Sequence, residues 1–216
     1  YKNTFSNVFR GVVVTEHMNA NIWKNDFTNL IGTGVRIAKN PLRTIVVNEN
    51  VINNARVGVD CFDNQATNVT IDNNDIDAGA LLSASGVIVQ EIIAGTTIYK
   101  ITRNTIKSVR YGVFGIGLKN SNIYRNDIYL KHTTSPVQEC YGVRLANSSF
   151  CNVVSNWVLG TNSANYWVHG ISLDLCTSDY VACNESHNLG TGMFFGGNQT
   201  PNTFIAKNQM DNNYRG

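Results

Sequence analysis

The sequence predicts an all-β solenoid of about nine coils, three very short strands to each coil, built by residues 1–216 as one domain. Three observations predict it. Asparagine is in excess, 31 of 216 residues against 3 Pro and 18 Gly, and Asn is a poor helix former that favours turns. Two sequence marks recur at near-constant spacing along the whole chain. Between the marks, apolar residues alternate with period two, as in strands.

The first mark is a Gly followed by an apolar residue: Gly11, Gly34, Gly58, Gly86, Gly112, Gly142, Gly170 and Gly192, with Gly216 at the ninth place. The second is an Asn two residues before an apolar residue: Asn3, Asn25, Asn50, Asn74, Asn104, Asn126, Asn156 and Asn208. Asn184 joins them with Ser186 in the apolar place. Asn to the next Gly is 8 residues in five coils, and Gly to the next Asn is 14 in four, so the shortest repeat is 22 residues.

Each strand follows from its place relative to these marks. The first strand starts at the Gly and points alternate residues inward: Val12/Val14, Val35/Ile37, Val59/Cys61, Val87/Val89, Val143/Leu145, Ile171/Leu173 and Met193/Phe195. The second ends before the Asn, with Ile45/Val47, Val69/Ile71, Tyr99/Ile101 and Cys151/Val153 inward. The third follows the Asn and carries one inward residue: Phe27, Ile52, Ile76, Ile106, Ile128, Val158 or Met210. Strands this short are unstable as an isolated sheet. Stacking pairs each with its counterpart one coil away and buries a continuous core.

The run Gly142-Val-Arg-Leu-Ala-Asn-Ser-Ser-Phe-Cys-Asn-Val-Val-Ser-Asn156-Trp-Val158 resembles the right-handed parallel β-helix repeat of pectate-lyase-like proteins, polysaccharide hydrolases and NosD-like periplasmic proteins. The resemblance covers essentially the whole chain. It implies that the nine Asn form a stacked ladder at the bend between second and third strands, in a left-handed backbone conformation that suits Asn. At about 4.8 Å per coil, the ladder is a rod of roughly 40 Å. The later run Gly190-Thr-Gly-Met-Phe-Phe-Gly-Gly-Asn-Gln-Thr-Pro-Asn-Thr-Phe204 resembles repeats of large cell-surface proteins of the Bacteroidetes, which implies export by a type IX system and a role in adhesion.

The chain opens mid-repeat, and Tyr214-Arg215-Gly216 resembles the start of another coil. Open strand edges need cover, so the expectation is an internal piece of a longer chain. Its expected partners are the rest of its own polypeptide or other surface or secretion-machinery proteins, and a polysaccharide. The expected location is extracellular or cell-surface, with the periplasm second.

Composition narrows the chemistry. Net charge is +2 with 17 basic and 15 acidic residues and no run of five basic residues, so a nucleic-acid partner is not supported. No apolar stretch approaches about 18 residues, so direct membrane insertion is not expected. There is no Cys-x-x-Cys and no His at ligand spacing, hence no metal site and no cofactor. Cys61 and Cys151 fall inward. The favoured reading is all five free and mostly buried; alternatively Cys176 and Cys183, seven apart across a bend, pair in a secreted protein, and Cys140 meets a partner only through loop geometry. Asn68, Asn147, Asn184 and Asn198 head Asn-x-Ser/Thr triplets, but Asn184 is a ladder position. His17, His132 and His187 fit no pattern.

Function must then sit on outward positions and long bends. Asn to Gly lengthens to 12 at 74→86, 16 at 126→142 and 14 at 156→170. In pectate-lyase-like enzymes such loops wall a groove on the first-strand face. Outward on that face are Val13, Arg36, Asp60, Ile88, Phe114, Arg144, Ser172 and Phe194, then Thr15, Ala38, Phe62, Gln90, Ile116, Ala146, Asp174 and Gly196. A glycosidase needs two carboxylates about 5–10 Å apart. Asp60 and Asp174 fall four coils apart, so Arg144, Asp174 and Asp60 are only weak catalytic candidates. The face is aromatic instead. Phe114, Tyr141, Arg144, Tyr166, Trp167 and His169 are the candidate ligand-binding residues, Tyr111, Tyr141 and His169 standing before the Gly in successive coils. They point to a non-catalytic rod that binds carbohydrate or another surface protein. The alternative is a polysaccharide lyase or glycoside hydrolase with substrate along the same face.

Overall fold

The computed structural model describes residues 2–16, 19–40, 43–66, 68–79, 83–92, 96–108, 110–131, 139–161, 167–197 and 202–215. These form 25 strands of three to seven residues and no helix. Three parallel sheets stack as a β-solenoid. The first sheet runs from Arg10–Thr15 to Thr191–Gly196, the second from Ala20–Trp23 to Phe204–Ala206, and the third from Thr4–Ser6 to Gln209–Asp211. The third sheet has nine strands and each of the others eight, so the chain completes fewer than nine full turns.

The register is the one the sequence marks impose. Val12, Val35, Val59, Val87, Val113, Val143, Ile171 and Met193 stand in one row of the first sheet. Phe27, Ile52, Ile76, Ile106, Ile128, Val158 and Ser186 stand in one row of the third. These rows and the inward residues of the second sheet, Ile71, Ile101 and Val153 among them, form one continuous core. Burying a side chain of this size contributes about 2–3 kcal/mol, which offsets the chain entropy of ordering strands too short to stand alone.

The recurring Gly touches the recurring third-strand residue. A Cβ on Gly112 would lie 2.4 Å from Ile128 Cγ2 and 2.5 Å from the Gly142 carbonyl oxygen; Gly58 meets Ile76 and Gly142 meets Val158 at 2.4 Å each. The two sequence marks are therefore the two sides of one tight corner.

The ladder forms at all eight steps. Each Asn Nδ2 donates to the next Asn Oδ1 at 2.9–3.1 Å. Each backbone N–H donates to that same Oδ1 at 2.9–3.3 Å. The expected left-handed conformation is not at the ladder Asn but one residue earlier, at Lys24, Glu49, Asn73, Arg103, Arg125, Ser155, Cys183 and Lys207, all with φ of 51–56°. The preceding residue turns the corner with its side chain outward, leaving the Asn to point its amide along the stack.

Two outward expectations fail: Ser172 and Ala38 are buried, because neighbouring side chains close over the small residues. Cys61, Cys151 and Cys176 are buried thiols and Cys183 an exposed one, so Cys176 and Cys183 are not paired; Cys140 is buried in the strand Cys140–Ala146. Burial pushes the Cys151 thiol up to about 12 and the Cys176 thiol to about 11, which makes them inert packing groups.

Candidate functional site

The first-sheet face carries a column of rings produced by the residue before each Gly. Parallel pairing puts Tyr111, Tyr141, His169 and Thr191 opposite one another in successive coils. Tyr111 and Tyr141 stack at 5.7 Å between centroids, and Tyr141 and His169 at 4.8 Å. Phe114 stacks on Tyr111 at 4.5 Å, and Phe194 tilts against His169 at 5.6 Å. Arg144 lies over this column, its guanidinium carbon 4.7 Å from the Tyr141 centroid and 5.9 Å from that of Phe114.

Burial divides the candidates. Tyr141 (4% exposed) and His169 (8%) are inside the stack, whereas Phe194 (45%) and Trp167 (36%) face solvent. Phe114 and Arg144 are half-buried. Tyr166 lies outside the described residues, as do His17 and His132. Any ligand on this stretch meets Phe194, Trp167, Phe114 and Arg144 first.

Tyr141 hydroxyl donates to Glu139 Oε2, and Arg144 pairs with Asp174 at 3.7 Å, so both carboxylates beside Arg144 are engaged. Burial holds the His169 imidazole below its ordinary value; Glu139 opposes this and Arg144 adds to it, so the ring is neutral near pH 7. Two nitrogens here have no hydrogen-bond partner among the described residues, Arg144 Nε and His169 Nδ1. The other charged pair, Arg36 and Asp60, sits at 3.6 Å several coils away, with Asp60 raised by burial and lowered by Arg36 and Arg10.

The sequence reading missed Glu91. It follows the first-sheet strand Ser85–Gln90, one position beyond the outward columns considered. Asn40 N–H donates to Asn64 Oδ1 at 3.4 Å, and Asn64 N–H donates to Glu91 Oε1 at 3.3 Å, so Glu91 ends a second, shorter ladder. Tyr99 hydroxyl also donates to Oε1, while Oε2 has no partner among the described residues. Burial pushes this carboxyl up to about 7, with Asp63 in the coil before adding to the rise and the two hydrogen bonds opposing it. Glu91 borders a cleft of about 530 Å³ with Phe62, Ile92, Ile116, Lys119 and Asn147. The signal was the column Asn40, Asn64, Glu91, visible only once the bend after the first strand is aligned.

His187 stands 3.4 Å from Glu185 and 3.6 Å from Asp211 on the third sheet. Among the described residues no three His, Cys, Asp or Glu come together as a metal site.

No family model matches the chain. No curated protein matches it. Among solved structures it is similar, at 9% identity and a TM-score of 0.20 over 98% of this chain and 93% of the other, to QnrB1, described as a plasmid-mediated fluoroquinolone resistance protein. A likeness that weak carries no argument about this chain.

Proposed function

We propose that this chain is a non-catalytic β-helical rod of a secreted or cell-surface bacterial protein, and that its first-sheet face binds carbohydrate. The observation that carries this reading is one ring column in which Arg144 lies over Tyr141, Tyr141 stacks on His169 and exposed Phe194 leans on His169, with exposed Trp167 two residues before His169. Exposed rings stack on the apolar faces of sugars, and a fixed guanidinium donates to hydroxyl oxygens. The buried rings beneath keep the outer ones in place. The resemblance to pectate-lyase-like and Bacteroidetes surface repeats supports an extracellular setting, with a surface-protein partner as the competing ligand.

The test is calorimetric titration of the protein with soluble xylan, barley β-glucan and dextran. Binding of at least one is expected, with affinity reduced about tenfold or more in the Trp167→Ala/Phe194→Ala double variant at unchanged thermal midpoint. Unchanged affinity in that variant overturns the reading.

One observation favours a polysaccharide lyase or hydrolase as a second reading: Glu91, its carboxyl pushed up to about 7, borders a cleft of about 530 Å³ with the Asp63 charge close enough to raise it. An enzyme releases reducing ends, or unsaturated products absorbing in the ultraviolet, from polygalacturonate or xylan and loses this in Glu91→Gln. Absence of product from the unmodified protein eliminates it.

A further inference from the structure

Charge is close to balanced over the chain, 17 basic against 15 acidic residues, yet one stretch of the first-sheet face is not. Arg10, Arg36, Arg56 and Arg110 line a single depression of about 330 Å³, with Asp60 the only acid among its lining residues. Asp60 is committed to Arg36 at 3.6 Å. No other ion pair is made by these arginines among the described residues. Arg10 rests on the Phe9 ring at 5.3 Å and Arg110 on the Tyr111 ring at 5.0 Å. A guanidinium stacked on a ring is fixed in orientation while its in-plane N–H groups stay available. Like charges gathered without counter-charges cost stability, and a ligand that supplies the missing negative charge recovers it.

The shape and surroundings narrow that ligand. A carboxylate offers two oxygens in one plane and is matched bidentately by one guanidinium fork, whereas a sulfate ester offers three terminal oxygens pointing in different directions. Four guanidiniums against the single Asp60 carboxylate, which faces both Arg36 and Arg10, leave an excess of positive charge around one depression, and this suits a group with three terminal oxygens spread in space. Gln90 lines the same depression and adds a neutral donor. A cavity of about 330 Å³ admits a sugar-sized unit rather than a nucleic-acid duplex. Ile88 is also a lining residue and pairs across the sheet with half-buried Phe114, which stacks on Tyr111, so the charged stretch adjoins the aromatic one.

We propose that this depression binds sulfate ester groups of a sulfated glycan, paired directly to Arg10, Arg56 and Arg110, with the sugar chain continuing onto the aromatic stretch. The proposal rests on the carbohydrate-binding reading above and names its substrate class.

The experiment titrates the 216-residue protein with dextran sulfate, polygalacturonate, unmodified dextran and duplex DNA at two salt concentrations. Dextran sulfate is expected to bind most tightly and to weaken as salt rises. The Arg56→Gln/Arg110→Gln variant, both exposed positions, is expected to lose affinity for it at least tenfold. A Lys24→Gln/Lys39→Gln variant, exposed cations outside the depression, is expected to keep it within about twofold. Equal loss in the two variants overturns the site, as does undiminished binding in the arginine variant. Equal or tighter binding of polygalacturonate overturns the sulfate assignment, and equal binding of DNA overturns the glycan assignment. Unmodified dextran bound as tightly, with no arginine dependence, sinks this proposal and leaves the carbohydrate reading standing. No binding of any glycan, charged or neutral, sinks both.

Discussion

At the scale of single residues, the ladder Asn and Glu91 show two ways of placing polar groups inside a solenoid. Asn126 Oδ1 accepts from both the backbone N–H and the Nδ2 of Asn104, and its own Nδ2 donates to Asn156 and to the Ile101 carbonyl. Asn126→Ala removes an acceptor from two buried donors at once, at roughly 1–3 kcal/mol per stranded group. The expected result is a loss of about 3 kcal/mol in urea unfolding with glycan affinity unchanged; an unaltered midpoint contradicts the ladder's role in stability. Glu91 is the opposite case, 6% exposed with no partner for Oε2 among the described residues. Its value of about 7, against the ordinary 4.5, means the native state holds the proton more tightly than the unfolded chain. That stability is full below about pH 4.5 and is lost as pH rises through 7, up to about 3 kcal/mol. Asp179 acts in the same sense: burial raises it to about 6, and Oδ2 has no partner among the described residues. The denaturation midpoint of the unmodified protein should therefore decrease as pH rises from about 4 to about 7. Glu91→Gln should flatten most of that slope, and an identical slope in the variant contradicts the assignment.

Within a coil, the tight corner explains why two different residue types recur in step. Gly112→Ala places a methyl 2.4 Å from Ile128 Cγ2 and 2.5 Å from a backbone oxygen that another strand holds in place. Overpacking of this kind costs about 1–3 kcal/mol. In an Ile128→Ala background, which lacks the clashing Cγ2, the added cost of Gly112→Ala measured by chemical denaturation should be smaller; an equal added cost shows that the Gly142 backbone alone sets the limit. This corner also accounts for what sequence made legible. Gly, Asn and the apolar residue after Asn are fixed by steric and hydrogen-bonding demands that repeat in every coil, so their spacing is visible without coordinates. The aromatic column was visible for the same reason, since Tyr111, Tyr141 and His169 keep step with the Gly. Spacing left two readings of Tyr111, Tyr141 and His169, a structural stack or a binding surface, and the packing across the face makes them a buried stack. The arginine depression was missed because its members occupy different columns: Arg10 one before a Gly, Arg56 and Arg110 two before, and Arg36 two after. No single periodicity contains them, and only the coil-to-coil packing makes them neighbours.

For the molecule as a whole, stacking makes energetics nearly one-dimensional. Each rung contacts the rungs on either side: Ile128 pairs with Ile106 behind and Val158 ahead, and Ile52 with Phe27 and Ile76. Stability is then a sum of rung terms and nearest-neighbour interfaces, with little direct coupling beyond one step. Binding on a face assembled from many rungs need not disturb the core, which is why aromatic and arginine stretches can change while the ladder stays. The consequence is measurable by double-mutant cycles. Ile128→Val with Val158→Ala removes volume from facing side chains in adjacent rungs. Ile52→Val with Val158→Ala makes similar changes four rungs apart in the same sheet. The adjacent pair should show an interaction energy of about 0.5–1 kcal/mol, because the two vacated spaces merge and the neighbours relax into both. The distant pair should add within about 0.5 kcal/mol. Equal coupling in the two cycles would mean that strain travels along the rod, and substitutions on the binding face would then have to be read against the stability of every coil.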